Sequence, residues 1–110
     1  MIEKVILDYL NKTMTVPCYM ERPSKPPKSY ILLERTSGSI DNHINYCTLA
    51  IQSYGESLYK CAQLNEQLKQ KMMNSITLDE VFSVDLNSDY NFTDPSTNEY
   101  RYQAVFDLVY

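Results

Sequence analysis

INYCTLAIQSYGESLYKCAQLNEQLKQKMMN, residues 44–74, holds a strand and a helix back to back. From Ile44 to Tyr54, Cys47, Leu49 and Ile51 fall on one face and Tyr46, Thr48, Ala50, Gln52 and Tyr54 on the other, the period of two of a pleated strand. Ser53-Tyr54-Gly55-Glu56 has the form of a capping box, in which a serine oxygen and a glutamate satisfy each other's free backbone donors, and this predicts a helix start at Ser53. The helix then runs to about Asn74. Leu58, Cys61, Ala62, Leu64, Leu68 and Met72 share one stripe, while Lys60, Gln63, Glu66, Gln67 and Gln70 point away. A helix with one apolar stripe, following a half-buried strand, buries that stripe on the strand's own sheet, which is the layering of an α+β fold.

Working outward, Ile2, Val5, Ile6, Tyr9 and Leu10 recur at helical spacing and predict a first helix over about residues 2–12. Val16 to Met20, interrupted by Pro17, suits an edge strand or the start of one. Pro23, Pro26 and Pro27 hold the next stretch extended and remove backbone donors. Ser29 to Thr36 has no breaker inside and is predicted as a central strand buried on both faces, closed by Gly38. Glu80 to Leu86 alternates, with Phe82, Val84 and Leu86 on the apolar side, and a polar loop follows from Asn87 to Asn98 with Asp94-Pro95 as turn former. Tyr100, Tyr102, Ala104, Phe106, Leu108 and Tyr110 alternate with Glu99, Arg101, Gln103, Val105, Asp107 and Val109 in the last strand. The expectation is one domain over residues 1–110: a mostly antiparallel sheet of four or five strands, two helices on one face, order α-β-β-β-α-β-β.

Composition narrows the function by exclusion. A net charge of -4 and a pI near 4.8 argue against a nucleic-acid binder, because phosphate binding needs clustered Lys and Arg. No apolar stretch approaches the roughly 20 residues of a membrane span, and the start of the chain reads as an amphipathic helix rather than a signal peptide. Cys18, Cys47 and Cys61 are odd in number and widely spaced, as reduced thiols are. His43, the one histidine, lies in a polar loop beside Asp41 and Asn42 and reads as exposed. No CxxC, HxxxH or DxDxDG spacing predicts a metal site, and two glycines, Gly38 and Gly55, make no phosphate cradle. We therefore expect no cofactor, no metal and no catalysis. Tyrosine is abundant, with ten copies and no tryptophan, and its apolar ring with a polar tip suits surfaces half-buried in contacts. The final Asp107-Leu108-Val109-Tyr110 lacks the lysines, proline or bulge that blunt an exposed edge, so a strand of the same chain or of a neighbouring subunit should cover it.

One family joins these features. The stretch Val16 to Glu34 with its proline-rich loop, a turn at Glu34-Arg35-Thr36-Ser37-Gly38, the strand end Ala50-Ile51-Gln52-Ser53-Tyr54 and the closing Tyr100-Arg101-Tyr102-Gln103-Ala104 resemble the tail-terminator and head–tail joining proteins of long-tailed bacteriophages of Gram-positive hosts. The resemblance spans nearly the whole chain. It implies a non-enzymatic virion protein of the tail and neck, present in the host cytoplasm during assembly. Such a protein forms a homo-oligomeric, hexameric ring between the tail tube protein and the head connector or stopper protein, and DNA passes through without specific binding. By the same analogy, contacts fall at Tyr19, Arg22 and Lys28 in the first loop and at Tyr90, Phe92 and Arg101 near the second. The alternatives are another neck component, a connector-completion or stopper protein, or a cellular non-enzymatic adaptor.

Overall fold

Val16 to Tyr54, with Pro17 near its start and no proline after Pro27, yields three of the five strands. The computed structural model describes residues 1–110. Its elements are α1 (Ile2–Thr13), β1 (Cys18–Tyr19), β2 (Tyr30–Asp41), β3 (Ile44–Tyr54), α2 (Leu58–Asn74), β4 (Ser83–Asn91) and β5 (Arg101–Val109), with a 3-10 turn at Ser75–Thr77. The strands form one sheet in the order β1-β2-β3-β5-β4. Pairing is antiparallel except for the short parallel contact of β1 with β2. The predicted α+β class and element order hold.

Both helices pack on one face of this sheet. Ile6 and Leu10 of α1 and Leu64, Leu68 and Met72 of α2 share a single core with Ile31, Leu33, Leu49, Ile51, Ala104, Phe106 and Leu108. Each large aliphatic side chain contributes roughly 1.5–3 kcal/mol on burial, before chain entropy is subtracted. Two polar contacts fix the helices. The Tyr9 hydroxyl donates to the Lys71 carbonyl at 2.7 Å, tying α1 to α2. The Asn11 amide accepts from the Cys18 N–H at 2.9 Å and donates to the Cys18 carbonyl at 3.1 Å, holding β1 under α1. All three cysteines are free and buried. Burial pushes the Cys18 thiol up to about 12 and the Cys47 thiol up to about 11.

The closing segment is covered by its own chain. β5 lies between β3 and β4, so Val109 pairs with Tyr46 on one side and Ser83 on the other, and the Tyr110 N–H donates to the Asn45 carbonyl at 3.0 Å.

Several local predictions are corrected. Gly38 does not close β2: its φ is not positive, and the strand continues through a bulge at Thr36, where a turn was expected, as far as Asp41. The reversal comes at Asn42 and His43, whose φ angles of 54° and 67° suit a two-residue hairpin of the primed type that follows strand twist. α2 starts later than predicted. Ser53 is a buried strand residue, and Ser57 caps the helix by accepting from the Lys60 N–H at 3.2 Å. Leu58, placed on the apolar stripe by spacing, is exposed at this first turn, and Asn65 is buried instead. β4 starts at Ser83, not at Glu80, and runs through Asn91 into what reads as loop; of Phe82, Val84 and Leu86 only Val84 is buried, because Phe82 precedes the strand and β4 is the outermost strand, incompletely covered by α2.

Candidate functional site

The face opposite the helices carries Tyr30, Tyr46, Tyr54 and Tyr90. Alternation and pairing place Tyr30, Leu32 and Glu34 of β2, Tyr54, Gln52, Ala50, Thr48 and Tyr46 of β3, and Arg101, Gln103, Val105 and Asp107 of β5 on this open face. At its loop end Tyr30 and Tyr54, directly paired, stack with centroids 4.4 Å apart and planes 4° from parallel. Tyr19 meets Tyr30 edge-on at 6.1 Å. The Arg101 guanidinium lies 4.6 Å from the Phe92 ring centre and 5.9 Å from that of Tyr54. Tyr90 meets Phe92 edge-on at 5.9 Å. One run of rings and guanidinium, Tyr19–Tyr30–Tyr54–Arg101–Phe92–Tyr90, therefore crosses the end of the sheet.

Hydrogen bonds set the geometry of that run. Arg101 donates from Nε to the Phe92 carbonyl at 2.7 Å and from Nη1 to the Tyr54 hydroxyl at 3.2 Å. Tyr54 in turn donates to Gln52 Oε1 at 2.6 Å, Gln52 donates to Gln103 at 3.0 Å, and Gln103 donates to the Tyr90 hydroxyl. Two loops close over the same end. Arg22 grips Glu99 with both terminal nitrogens, Nη1 to Oε1 at 3.0 Å. The side-chain hydrogen bond to Glu99 raises the already high pKa of Arg22. Asp94 accepts from the Ser96 hydroxyl at 2.7 Å and N–H at 3.0 Å, forming the turn predicted at Asp94-Pro95 and lowering the Asp94 pKa.

Five of the six predicted contact residues, Tyr19, Arg22, Tyr90, Phe92 and Arg101, enter this cluster through rings or ion pair. Lys28 lines the adjoining cleft of about 270 Å³, between the proline-rich loop, the β3–α2 junction and the β4–β5 loop. Sequence reasoning missed Tyr30, a buried residue that also lines the cleft, and Glu99. Tyr30 had a signal, its place at the start of a strand facing Tyr54, whereas the pairing of Arg22 with a residue 77 positions away had none.

At the opposite end the β2–β3 hairpin stands clear of the core. Glu34 to Asp41 are all exposed, and Ile40 is 74% exposed. Asp85 and Asp107 face each other on paired strands beside Thr48, whose hydroxyl donates to Asp107 at 2.8 Å. No helix is long and apolar enough to cross a membrane. No protein-family model matches the chain, and comparison with curated proteins gives no match.

Proposed function

We propose that the chain is a non-enzymatic structural subunit that closes into a ring by pairing sheet edges, and that the ring is a bacteriophage tail terminator. The observation that carries the ring is the match between two open edges of one sheet. On one side β1 covers β2 only at Ile31 and Leu32, leaving residues 33–41 without an outer neighbour. On the other side β4 has no outer neighbour along its length.

Pairing puts these edges at one height. Leu33 pairs with Ile51, Ile51 with Ala104 and Ala104 with Asp89; Ser39 pairs with Tyr46, Tyr46 with Val109 and Val109 with Ser83. Three antiparallel steps also make β2 and β4 opposite in direction. A copy rotated about an axis parallel to the strands would bring its β2 beside the first copy's β4 in antiparallel register with no axial offset. Head-to-tail contacts without offset close into rings instead of growing as filaments.

In such a ring the bulkier helical layer takes the wider outer circumference and the open face turns inward. Its carboxylates, Glu34, Asp85 and Asp107 among them, repel phosphate and favour DNA passing through without being gripped. The loop end with its rings and arginine and the hairpin end then form the two rims, one for the tail tube and one for the head connector or stopper. The tail assignment rests on the resemblance of sequence pattern, and the ring on the edges.

Light scattering over a wide range of protein concentration tests the ring. A discrete species of six chains of 12.8 kDa is expected. A strict dimer, or a monomer at every concentration, overturns the self-closing ring.

A further inference from the structure

Tyr30 is 3% exposed, and its hydroxyl has no hydrogen-bond partner. A buried O–H left unmade is costly, so a group placed there without an acceptor marks a missing partner. Tyr30 lines the cleft formed by Pro26, Pro27, Lys28, Tyr54 to Glu56 and Asn98 to Tyr100. The two carboxylates around it each face a cation. Glu56 lies 3.8 Å from Lys60, and Glu99 is held by both terminal nitrogens of Arg22. Two donors of the lining remain without an anionic partner: the Tyr30 O–H and the Lys28 ammonium, which makes no ion pair.

We propose that this cleft receives a carboxylate side chain from an acidic, extended segment of a partner protein, and that Glu99 is the intramolecular stand-in for it. Glu99 satisfies Arg22 but leaves Tyr30 without an acceptor. An incoming carboxylate displaces Glu99 from Arg22, accepts the Tyr30 O–H and meets Lys28 at the mouth, while Pro26, Pro27 and Tyr100 flank the segment's backbone. The exchange replaces like with like, because the incoming carboxylate takes the place of Glu99 on the same guanidinium, at a surface pair with side chains 50% and 28% exposed. The inference rests on reading the loop end as a surface that docks a partner protein, the part of the proposed function that does not need the ring to close.

The test is NMR titration of isotopically labelled protein with the blocked tripeptide N-acetyl-Glu-Pro-Glu-amide, with N-acetyl-Gln-Pro-Gln-amide as the uncharged control. The acidic peptide is expected to shift the amides of Arg22, Lys28, Tyr30 and Glu99, and the control to shift none. Glu99→Gln removes the competitor and should tighten binding by up to about fivefold. Tyr30→Phe keeps the ring stack but removes the donor and should weaken binding about tenfold. Lys28→Gln, on an exposed loop, should weaken it in the same direction without bearing on the fold. Equal binding of both peptides, no gain in Glu99→Gln, or full binding in Tyr30→Phe overturns the proposal. Peptide binding by a protein that never forms a six-chain species overturns the ring alone, and a six-chain species blind to the acidic peptide overturns the acidic site alone.

Discussion

Cys18 shows at the scale of one residue how burial becomes a pH dependence. An unfolded thiol ionises near its ordinary value of 9.0, whereas burial holds the folded Cys18 thiol up to about 12. Between those values the folded chain binds the extra proton. The contribution is therefore whole below about pH 9 and is lost as pH rises toward the folded value. Cys47, pushed up to about 11, and Tyr30, pushed up to about 12, act in the same direction. Urea denaturation at about pH 7 and about pH 10 should show stability falling with pH, and Cys18→Ala should show a smaller fall. Equal falls in both proteins would mean that the thiol is ionisable in place. The residues of the loop-end cluster were legible at this scale only in kind. The excess of tyrosine pointed to aromatic clusters, but stacking of Tyr30 on Tyr54 and the grip of Arg22 on Glu99 depend on register and loop closure, which residue type does not carry.

Elements were legible where one periodicity ran unbroken. α1, β3 and β5 follow spacing nearly to the residue, because each has one face in the core and the alternation is the burial itself. The β2 extension was not legible: from Glu34 to Asp41 both faces are exposed, so no apolar rhythm marks a strand, and Gly38 looked like its end. The capping box at Ser53 misled because side-chain type matched while backbone did not; Ser53 is still paired with Ile31 and Tyr102 within the sheet. At the hairpin tip, His43 holds a φ of 67°, left-handed backbone that costs an L residue with a side chain about 1 kcal/mol. His43→Gly should relieve that cost and raise Tm by a few degrees in a calorimetric scan. A fall in Tm would mean that the imidazole makes a contact worth more than the strain.

The whole molecule is elongated, 44 × 26 × 25 Å. Its sheet offers two edges whose exposed apolar side chains include Ile40 on β2 and Leu86 on β4. A lysine on either should blunt edge pairing without touching the core, since edge lysines are a standing protection against strand addition. Ile40→Lys and Leu86→Lys are each expected to reduce the six-chain species in sedimentation velocity while leaving circular dichroism and Tm unchanged. Loss of fold in either would count against the edges being free in the subunit, and an intact six-chain species in both would place the ring contacts elsewhere.

The position of β5 between β3 and β4 also sets an order of events in time. The β2–β3 hairpin joins neighbours in the chain and needs only microseconds, on the general scale of hairpin formation. β4, by contrast, has no partner until a strand further along the chain arrives to join it to β3. Until then β3 and β4 are both bare along a flank that the finished sheet hides, and the core face over Leu49 and Ile51 lacks Phe106 and Leu108. Contacts between β3 and β5 span about fifty residues, so loop closure comes before reward, the condition under which folding is slow. The chain's most hazardous interval is thus the one before β5 docks, when a foreign strand could take its seat.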